Sequence, residues 1–274
     1  MLGVTFLRPQ MLFSRPSFSY VVALDVTQSM GVTDYEIDGK PVARLAYAKH
    51  ALRDALRHLP CGSRIAWAVF TEFRVLLLFE PVELCTNYHD LLATLDQIDG
   101  RMAWAGASEI ARGLHSGMKL TAALDDAPRF VFLTDGHEAP PLAPGQKLRF
   151  EAVTGTTGGI VIGVGGDAPA PIPKRDPDGN LFGVWSANEV VQQAGSAAGK
   201  GNEHLSALRE AHLMQISSDA GLGYQRLSDT RSLTKALTQP ALATPRAVLV
   251  DLRSIAAAAA LLLLLAGHAP QRRQ

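Results

Sequence analysis

The chain has 274 residues, and its 26 lysine and arginine residues balance its 26 aspartate and glutamate residues. This length allows one large α/β domain or two small ones with a substantial core. The charge balance and an aromatic content of 7% exclude an electrostatic or base-stacking case for nucleic-acid binding.

The first 19 residues contain no apolar run long enough for a signal peptide or a membrane-spanning helix. Arg8, Pro9, Arg15 and Pro16 interrupt every such run. We interpret residues 1–19 as an N-terminal lead, either a short cytoplasmic segment or the remainder of a longer one.

A buried strand is predicted next, and it ends in a group of polar side chains. The apolar run Val21–Leu24 stops at Asp25, and Thr27 and Ser29 follow at alternate positions. The carboxyl edge of an α/β sheet is where ligands bind. A carboxylate and two hydroxyls suit a hard divalent cation, with Mg²⁺ the best fit and Mn²⁺ or Ca²⁺ as alternatives. A simpler interpretation is that Asp25 ends the strand and the hydroxyls cap the following turn.

Strand and helix patterns then alternate along the chain. An Asp38-Gly39 turn predicts an excursion over residues 31–42. Predicted helices cover 44–59, 88–98, 109–124 and 204–220, and predicted strands cover 65–70, 74–79, 129–134, 159–164 and 224–227. Arg44 is assigned to the polar face of the first helix. The short connection before residues 74–79 permits only antiparallel pairing at the edge. The pattern predicts an α/β fold with a doubly wound, mainly parallel sheet and one antiparallel edge strand.

Two further loops carry oxygen ligands. Gly106-Ala107-Ser108 precedes a helix, so Ser108 could be its N-cap. Thr134-Asp135-Gly136 follows a second buried strand. His137 and Glu138 are interpreted as a solvated pair, with contact to a partner as the alternative.

Three remaining features complete the predicted organisation. Cys61 and Cys85 are interpreted as small buried residues, with a disulfide left open. Residues 166–201 are predicted to be a long irregular insertion, and 240–254 a linker. The Ala- and Leu-rich stretch 255–267 is predicted to be a C-terminal membrane anchor because it has no polar face.

Asp25-x-Thr27-x-Ser29, Ser108 in its loop and Asp135 in Thr-Asp-Gly together resemble the metal-ion-dependent adhesion site of the von Willebrand factor A (vWA) domain family. The resemblance covers residues 20–239. It implies that Thr27, Ser29 and Ser108 ligate the ion directly, while Asp25 and Asp135 act through waters and hydrogen bonds. It also implies that a partner protein supplies an acidic residue. Thr27 and Ser108 depart from the usual serine and threonine, but both substitutions keep a hydroxyl.

A narrower resemblance concerns residues 170–180, 203–205 and 223–224, which are similar to membrane-anchored bacterial vWA proteins encoded beside MoxR-type AAA+ ATPases. The motifs at 25–30, 102–110 and 134–141 most resemble the MxaL type of methanol-oxidation gene clusters. The resemblance implies a non-enzymatic module at the inner membrane, on its periplasmic side, that aids assembly or calcium insertion of methanol dehydrogenase.

Two alternatives remain from the sequence. The domain could keep the fold without an ion, as a scaffold. It could also be a phosphohydrolase with Asp25 as nucleophile, but Thr27 stands where such an enzyme needs an acid/base group.

Overall fold

The computed structural model describes residues 10–143, 153, 158–193 and 201–268. Contacts divide the chain into two compact units. One comprises Phe18–Ala243, and the other is formed by the two chain ends, Met1–Ser17 and Thr244–Gln274.

Within the described residues there are six α-helices and fifteen β-strands. The helices are α1 (Arg44–Leu56), α2 (Tyr88–Gln97), α3 (Ile110–Ala122), α4 (Glu210–Asp219), α5 (Thr230–Leu237) and α6 (Arg253–His268). The strands are β1 (Gln10–Ser17), β2 (Ser19–Asp25), β3 (Thr33–Ile37), β4 (Lys40–Ala43), β5 (Arg64–Thr71), β6 (Arg74–Leu77), β7 (Val82–Glu83), β8 (Arg129–Thr134), β9 (Gly159–Gly163), β10 (Ala170–Pro171), β11 (Pro173–Arg175), β12 (Leu181–Val184), β13 (Leu205–Ser206), β14 (Gly223–Arg226) and β15 (Thr244–Asp251).

A seven-stranded sheet lies at the centre of the Phe18–Ala243 unit, in the order β14-β9-β8-β2-β5-β6, with β7 also paired to β5. The pairings from β14 to β5 are parallel. β6 and β7 run antiparallel to β5 because their connections are too short for a crossover. The predicted mainly parallel sheet is confirmed as a mixed sheet, but it has two antiparallel strands, β6 and β7, where one was predicted.

Helices cover both faces of this sheet. Tyr20, Val22 and Leu24 of β2 share a buried cluster with residues of α1, α2 and α5. Val21 and Ala23 point the other way, into a cluster with residues of α3 and α4. Burial on both faces explains why β2 is a continuous apolar run rather than an alternating one.

Two glycines allow α3 to lie close to the sheet. A Cβ atom at Gly113 would overlap the Phe70 ring, and one at Gly117 would overlap the Phe130 ring. This close approach holds α3, and the loop that precedes it, beside β5 and β8.

The cysteine interpretation was wrong. Cys61 and Cys85 are both exposed and form a disulfide with a Cα–Cα distance of 5.3 Å. They meet because β7 pairs with the start of β5, where Arg64 lies opposite Glu83. That long-range pairing brings the turn after α1 beside the loop before α2.

The prediction for residues 204–220 was wrong at its start. Leu205–Ser206 form β13, which pairs with β10, and α4 begins only at Glu210. Leu205 and Leu208 mimic helical spacing, but this segment is extended so that it can hydrogen-bond to other parts of the domain. One such bond joins the Leu208 amide to the Gly166 carbonyl at 2.9 Å.

The insertion predicted to be irregular contains regular structure in its described part. β11 and β12 form an antiparallel hairpin. Its turn is closed by the Asn180 amide, which donates to Asp176 Oδ1 at 2.8 Å. The excursion at 31–42 is the hairpin β3–β4, with positive φ at both Asp38 and Gly39 of its turn.

The second unit pairs the two ends of the chain. β1 and β15 form an eight-residue antiparallel ladder from Gln10↔Asp251 to Ser17↔Thr244. Neither segment was predicted to be a strand; the sequence predicted a lead over residues 1–19 and a linker over 240–254. The stretch predicted to be an anchor lies in α6, but no helix in the described part of the chain has the length and apolarity needed to cross a membrane.

Candidate metal centre

The first predicted loop holds three buried site residues. Asp25 ends β2, and its Oδ1 accepts hydrogen bonds from the Thr27 amide at 2.9 Å and from Thr27 Oγ1 at 2.6 Å. The hydroxyls of Thr27 and Ser29 are 3.3 Å apart. All three side chains are buried. The structure therefore brings a carboxylate and two hydroxyls together at the carboxyl end of β2.

The loop after β8 adds a second carboxylate. Thr134 Oγ1 donates to Asp25 Oδ2 at 2.7 Å, which joins the two strand ends. Asp135 Oδ1 accepts from the His137 amide at 2.9 Å. Asp135 Oδ2 accepts from Arg44 Nη1 at 2.7 Å and from the Ser206 hydroxyl at 2.8 Å. Both Asp135 oxygens thus already have partners within the protein.

Burial and a neighbouring charge shift the pKa of Asp25. Loss of solvent is the largest cause, and the nearby Asp135 carboxylate adds to it, while hydrogen bonds from Thr27 and Thr134 act in the opposite direction. Together they raise the pKa of Asp25 to about 7. Burial also lowers the pKa of His137, against the opposing effect of Asp135. The site therefore concentrates negative charge where water cannot screen it.

Ser108 lies beside the carboxyl ends of the strands that flank β2. Its backbone pairs with Ala139, with N···O distances of 2.7 and 2.8 Å, and it also forms a bridge to Glu72. Its side chain is buried, and its Oγ has no hydrogen-bond partner among the described residues. Ser108 is not a helix cap, because Glu109 occupies the N-cap position of α3. A buried hydroxyl without a partner is suited to a ligand that the protein does not itself supply.

The five candidate residues offer oxygen atoms only, the donor type that Mg²⁺, Mn²⁺ and Ca²⁺ prefer. No group of three or more His, Cys, Asp or Glu side chains in the described residues could hold a metal ion, and the candidate set contains only two such side chains, Asp25 and Asp135. The unpartnered Ser108 hydroxyl and the two buried carboxylates, Asp25 and Asp135, fit a hard divalent cation.

Arg44 is a component of the site that sequence analysis misplaced. It was assigned to the solvent-facing side of α1, but it is completely buried. It shares a helix face with Ala48 and Ala51, four and seven residues further on, which are also buried. Helical periodicity could have indicated that Arg44 is buried. A basic residue at a helix N-terminus is a second signal, because it opposes the helix dipole there and therefore needs another partner.

The interpretation of His137 and Glu138 as a solvated pair was also wrong. Both are buried. The Glu138 carboxylate accepts from the amides of Ile110 at 3.0 Å and Ala111 at 3.2 Å, at the start of α3. Glu138 Oε1 also lies 3.0 Å from His212 Nε2. Glu138 therefore ties the loop after β8 to the helix that follows Ser108.

An α/β sheet covered on both faces, with hydroxyl and carboxylate groups gathered at its carboxyl edge, is a vWA-like arrangement. The family model described as "von Willebrand factor type A domain" matches residues 20–137, so this part of the chain is similar to that family. Comparison with curated proteins found no match.

Two solved structures share the fold. One is an aerotolerance-related membrane protein from Bacteroides fragilis, with a TM-score of 0.54 and 18% identity over 82% of this chain and 98% of that one. The other is BatB from Bacteroides thetaiotaomicron, with a TM-score of 0.55 and 18% identity over 82% of this chain and 97% of that one. At 18% sequence identity, these similarities show a shared fold and nothing further.

Proposed function

We propose that the vWA domain is a non-enzymatic protein-binding module that contacts its partner through a divalent cation, best Mg²⁺, with Mn²⁺ or Ca²⁺ as alternatives. Thr27, Ser29 and Ser108 would hold the ion directly, and Asp25 and Asp135 would act through its waters and through hydrogen bonds. The observation that carries the proposal is the buried Ser108 hydroxyl without a protein partner. Neutral ligands leave the ion with positive charge, which attracts a carboxylate from the partner.

The β11–β12 hairpin supports protein binding beside this site. Leu181 and Phe182 at its outer strand are 60% and 66% exposed. The hairpin is held beside the Asp25–Ser29 loop, because the indole of Trp185, the residue after β12, donates to Gln28 Oε1 at 2.6 Å. Exposed apolar side chains of this size are typical of interaction surfaces.

The Cys61–Cys85 disulfide supports a location outside the cytoplasm. Disulfides persist in oxidising compartments such as the bacterial periplasm and are rare in the cytosol. We propose that the domain lies on the periplasmic side of the inner membrane; the disulfide supports the oxidising compartment, and the sequence resemblance supports the membrane.

As the partner we propose methanol dehydrogenase, whose assembly or calcium insertion the module aids together with a MoxR-type AAA+ ATPase. The support for this step is the sequence resemblance at residues 25–30, 102–110 and 134–141. An acidic surface residue of the dehydrogenase would complete the ion's coordination.

Isothermal titration with Mg²⁺, Mn²⁺ and Ca²⁺ tests the ion site. Ser108→Ala is expected to weaken binding by about tenfold or more, because it removes a ligand. Ser217→Ala is the matched control, since Ser217 is equally buried but its hydroxyl donates to the Leu213 carbonyl at 2.6 Å. Wild-type protein that binds none of the three ions would leave the scaffold alternative.

Capture of purified methanol dehydrogenase on immobilised domain tests the partner. Capture is expected with Mg²⁺ and is expected to be lost with EDTA or in the Asp25→Ala variant. Circular dichroism establishes that the variant is folded. Equal capture by the wild type and the folded variant would refute metal-dependent binding.

A further inference from the structure

Arg44 is the only lysine or arginine whose side chain is buried in the described part of the chain. Its Nε and Nη2 donate to Asp34 Oδ2 at 2.9 and 2.6 Å. Its Nη1 donates to Asp135 Oδ2 and to Ser206 Oγ, both at 2.7 Å. The same nitrogen lies 3.5 Å from the Ser29 carbonyl oxygen. One guanidinium thus contacts the Asp25–Ser29 loop, the β3–β4 hairpin, the loop after β8, and β13.

The charges around Arg44 do not balance. Asp25, Asp34 and Asp135 contribute three negative charges when ionised and Arg44 contributes one positive charge, so the group carries a formal charge of −2. Asp25 and Asp135 are fully buried, and the Asp34 side chain is 14% exposed. Asp34 Oδ1 is also buried without a hydrogen-bond partner. Such uncompensated charge is costly in a protein interior, and one divalent cation would neutralise it.

We propose that Arg44 is a specificity-determining residue that sets the site to a divalent rather than a trivalent cation. This inference rests on the proposed metal-binding function. The guanidinium is a permanent positive charge because arginine does not lose its proton in proteins. It repels an incoming cation in proportion to that ion's charge, so the penalty is larger for a trivalent ion than for a divalent one.

Charge-changing variants separate this role from simple structural support. Arg44→Gln leaves three carboxylates and a formal charge of −3, whereas Asp34→Asn leaves two carboxylates and the guanidinium, with a formal charge of −1. The double variant restores the wild-type formal charge of −2, although neither residue of the Arg44–Asp34 pair is then charged. Dissociation constants for Mn²⁺ and Tb³⁺ are measured by titration calorimetry and by sensitised terbium luminescence. The informative quantity is the ratio of the two constants in each variant.

We expect Arg44→Gln to shift the ratio toward Tb³⁺ by about tenfold or more, and Asp34→Asn to shift it in the opposite direction. The double variant is expected to return to within about threefold of the wild-type ratio. Arg44→Lys, which keeps the charge and loses the planar fork, is expected to keep the ratio. Arg53→Gln with Asp96→Asn, which removes a partly exposed ion pair between α1 and α2, is the matched control and should leave the ratio unchanged.

The outcomes distinguish the two proposals. Wild-type protein that binds neither ion refutes the metal site itself. Binding by wild type with a ratio that stays constant in folded Arg44→Gln and Asp34→Asn variants refutes the role of Arg44 alone. Should Arg44→Gln fail to fold, the double variant, Asp34→Asn and Arg44→Lys decide the question, since none of them leaves the Asp34 carboxylate without a positively charged partner.

Discussion

Replacing both Cys61 and Cys85 by serine is expected to destabilise the vWA domain by about 3.5 kcal/mol. The disulfide closes a loop with a sequence separation of 24 residues, and the loss of chain entropy in the unfolded state on closing such a loop gives that magnitude at 25 °C. In a domain of this size, the change corresponds to a melting temperature lower by about 7 to 14 °C.

Urea unfolding of the oxidised wild type and of the Cys61→Ser/Cys85→Ser variant measures the difference. The midpoint is expected to fall by more than about 1 M urea. Both cysteines are exposed, so a reductant that reaches them should move the wild type to the midpoint of the variant and leave the variant unchanged. Two free thiols in the unreduced protein, or equal midpoints for the oxidised wild type and the variant, would refute the disulfide assignment and with it the structural argument for an oxidising compartment.

Three further predictions concern the site and its support. Without metal, the Asp25→Asn variant is expected to gain stability relative to the wild type as the pH rises from about 4 to 7. Burial raises the pKa of Asp25 to about 7, so ionisation of Asp25 in this range opposes folding of the wild type. A difference between the two unfolding free energies that stays constant with pH would contradict this prediction. Glu138→Gln should lower the free energy of unfolding, measured in urea, by about 1 to 2 kcal/mol, because it weakens the hydrogen bonds that the Glu138 carboxylate accepts from the first amides of α3. Glu109→Gln removes only the exposed ion pair with Arg112 and should lower it by less than about 0.5 kcal/mol. Gly117→Ala should destabilise the domain by about 1 to 3 kcal/mol, because the new methyl group would overlap the Phe130 ring. Gly106→Ala places its methyl group in open space and should change the stability very little. Equal losses of stability in the two variants would contradict the close packing of α3 on the sheet.

The sheet could be predicted from the sequence because its signals are local. The run Val21–Leu24 is buried on both faces, so its apolar character is continuous and its end at Asp25 is abrupt. The antiparallel edge strand followed from the few residues that separate β5 from β6. In each case, neighbouring residues along the chain contain the whole signal.

The electrostatic partners could not be predicted in the same way. Arg44 contacts Asp34, Asp135 and Ser206, which come from three different segments. Residues near Arg44 in the sequence indicate a charged helix surface, and only the fold reveals that three acceptors surround it. The disulfide was missed for the same reason, because the pairing of β5 with β7 creates it.

Glu138 shows how a polar motif can mislead. His137 and Glu138 follow a glycine in a loop, a context in which charged residues are usually solvated. In the structure α3 offers its free amides to Glu138, and those amides belong to residues almost 30 positions earlier in the chain.

The bonds from Arg44 to Ser206 also bear on how the protein is synthesised. A nascent chain that has emerged only as far as Asp135 already contains Asp25 and Ser108 as well, but it lacks the Ser206 hydroxyl and carbonyl that bind the Arg44 guanidinium. Until Ser206 has left the ribosome, a charged group destined for the interior has an incomplete set of acceptors. The candidate site is therefore completed late in synthesis, after six strands of the central sheet are available to pair.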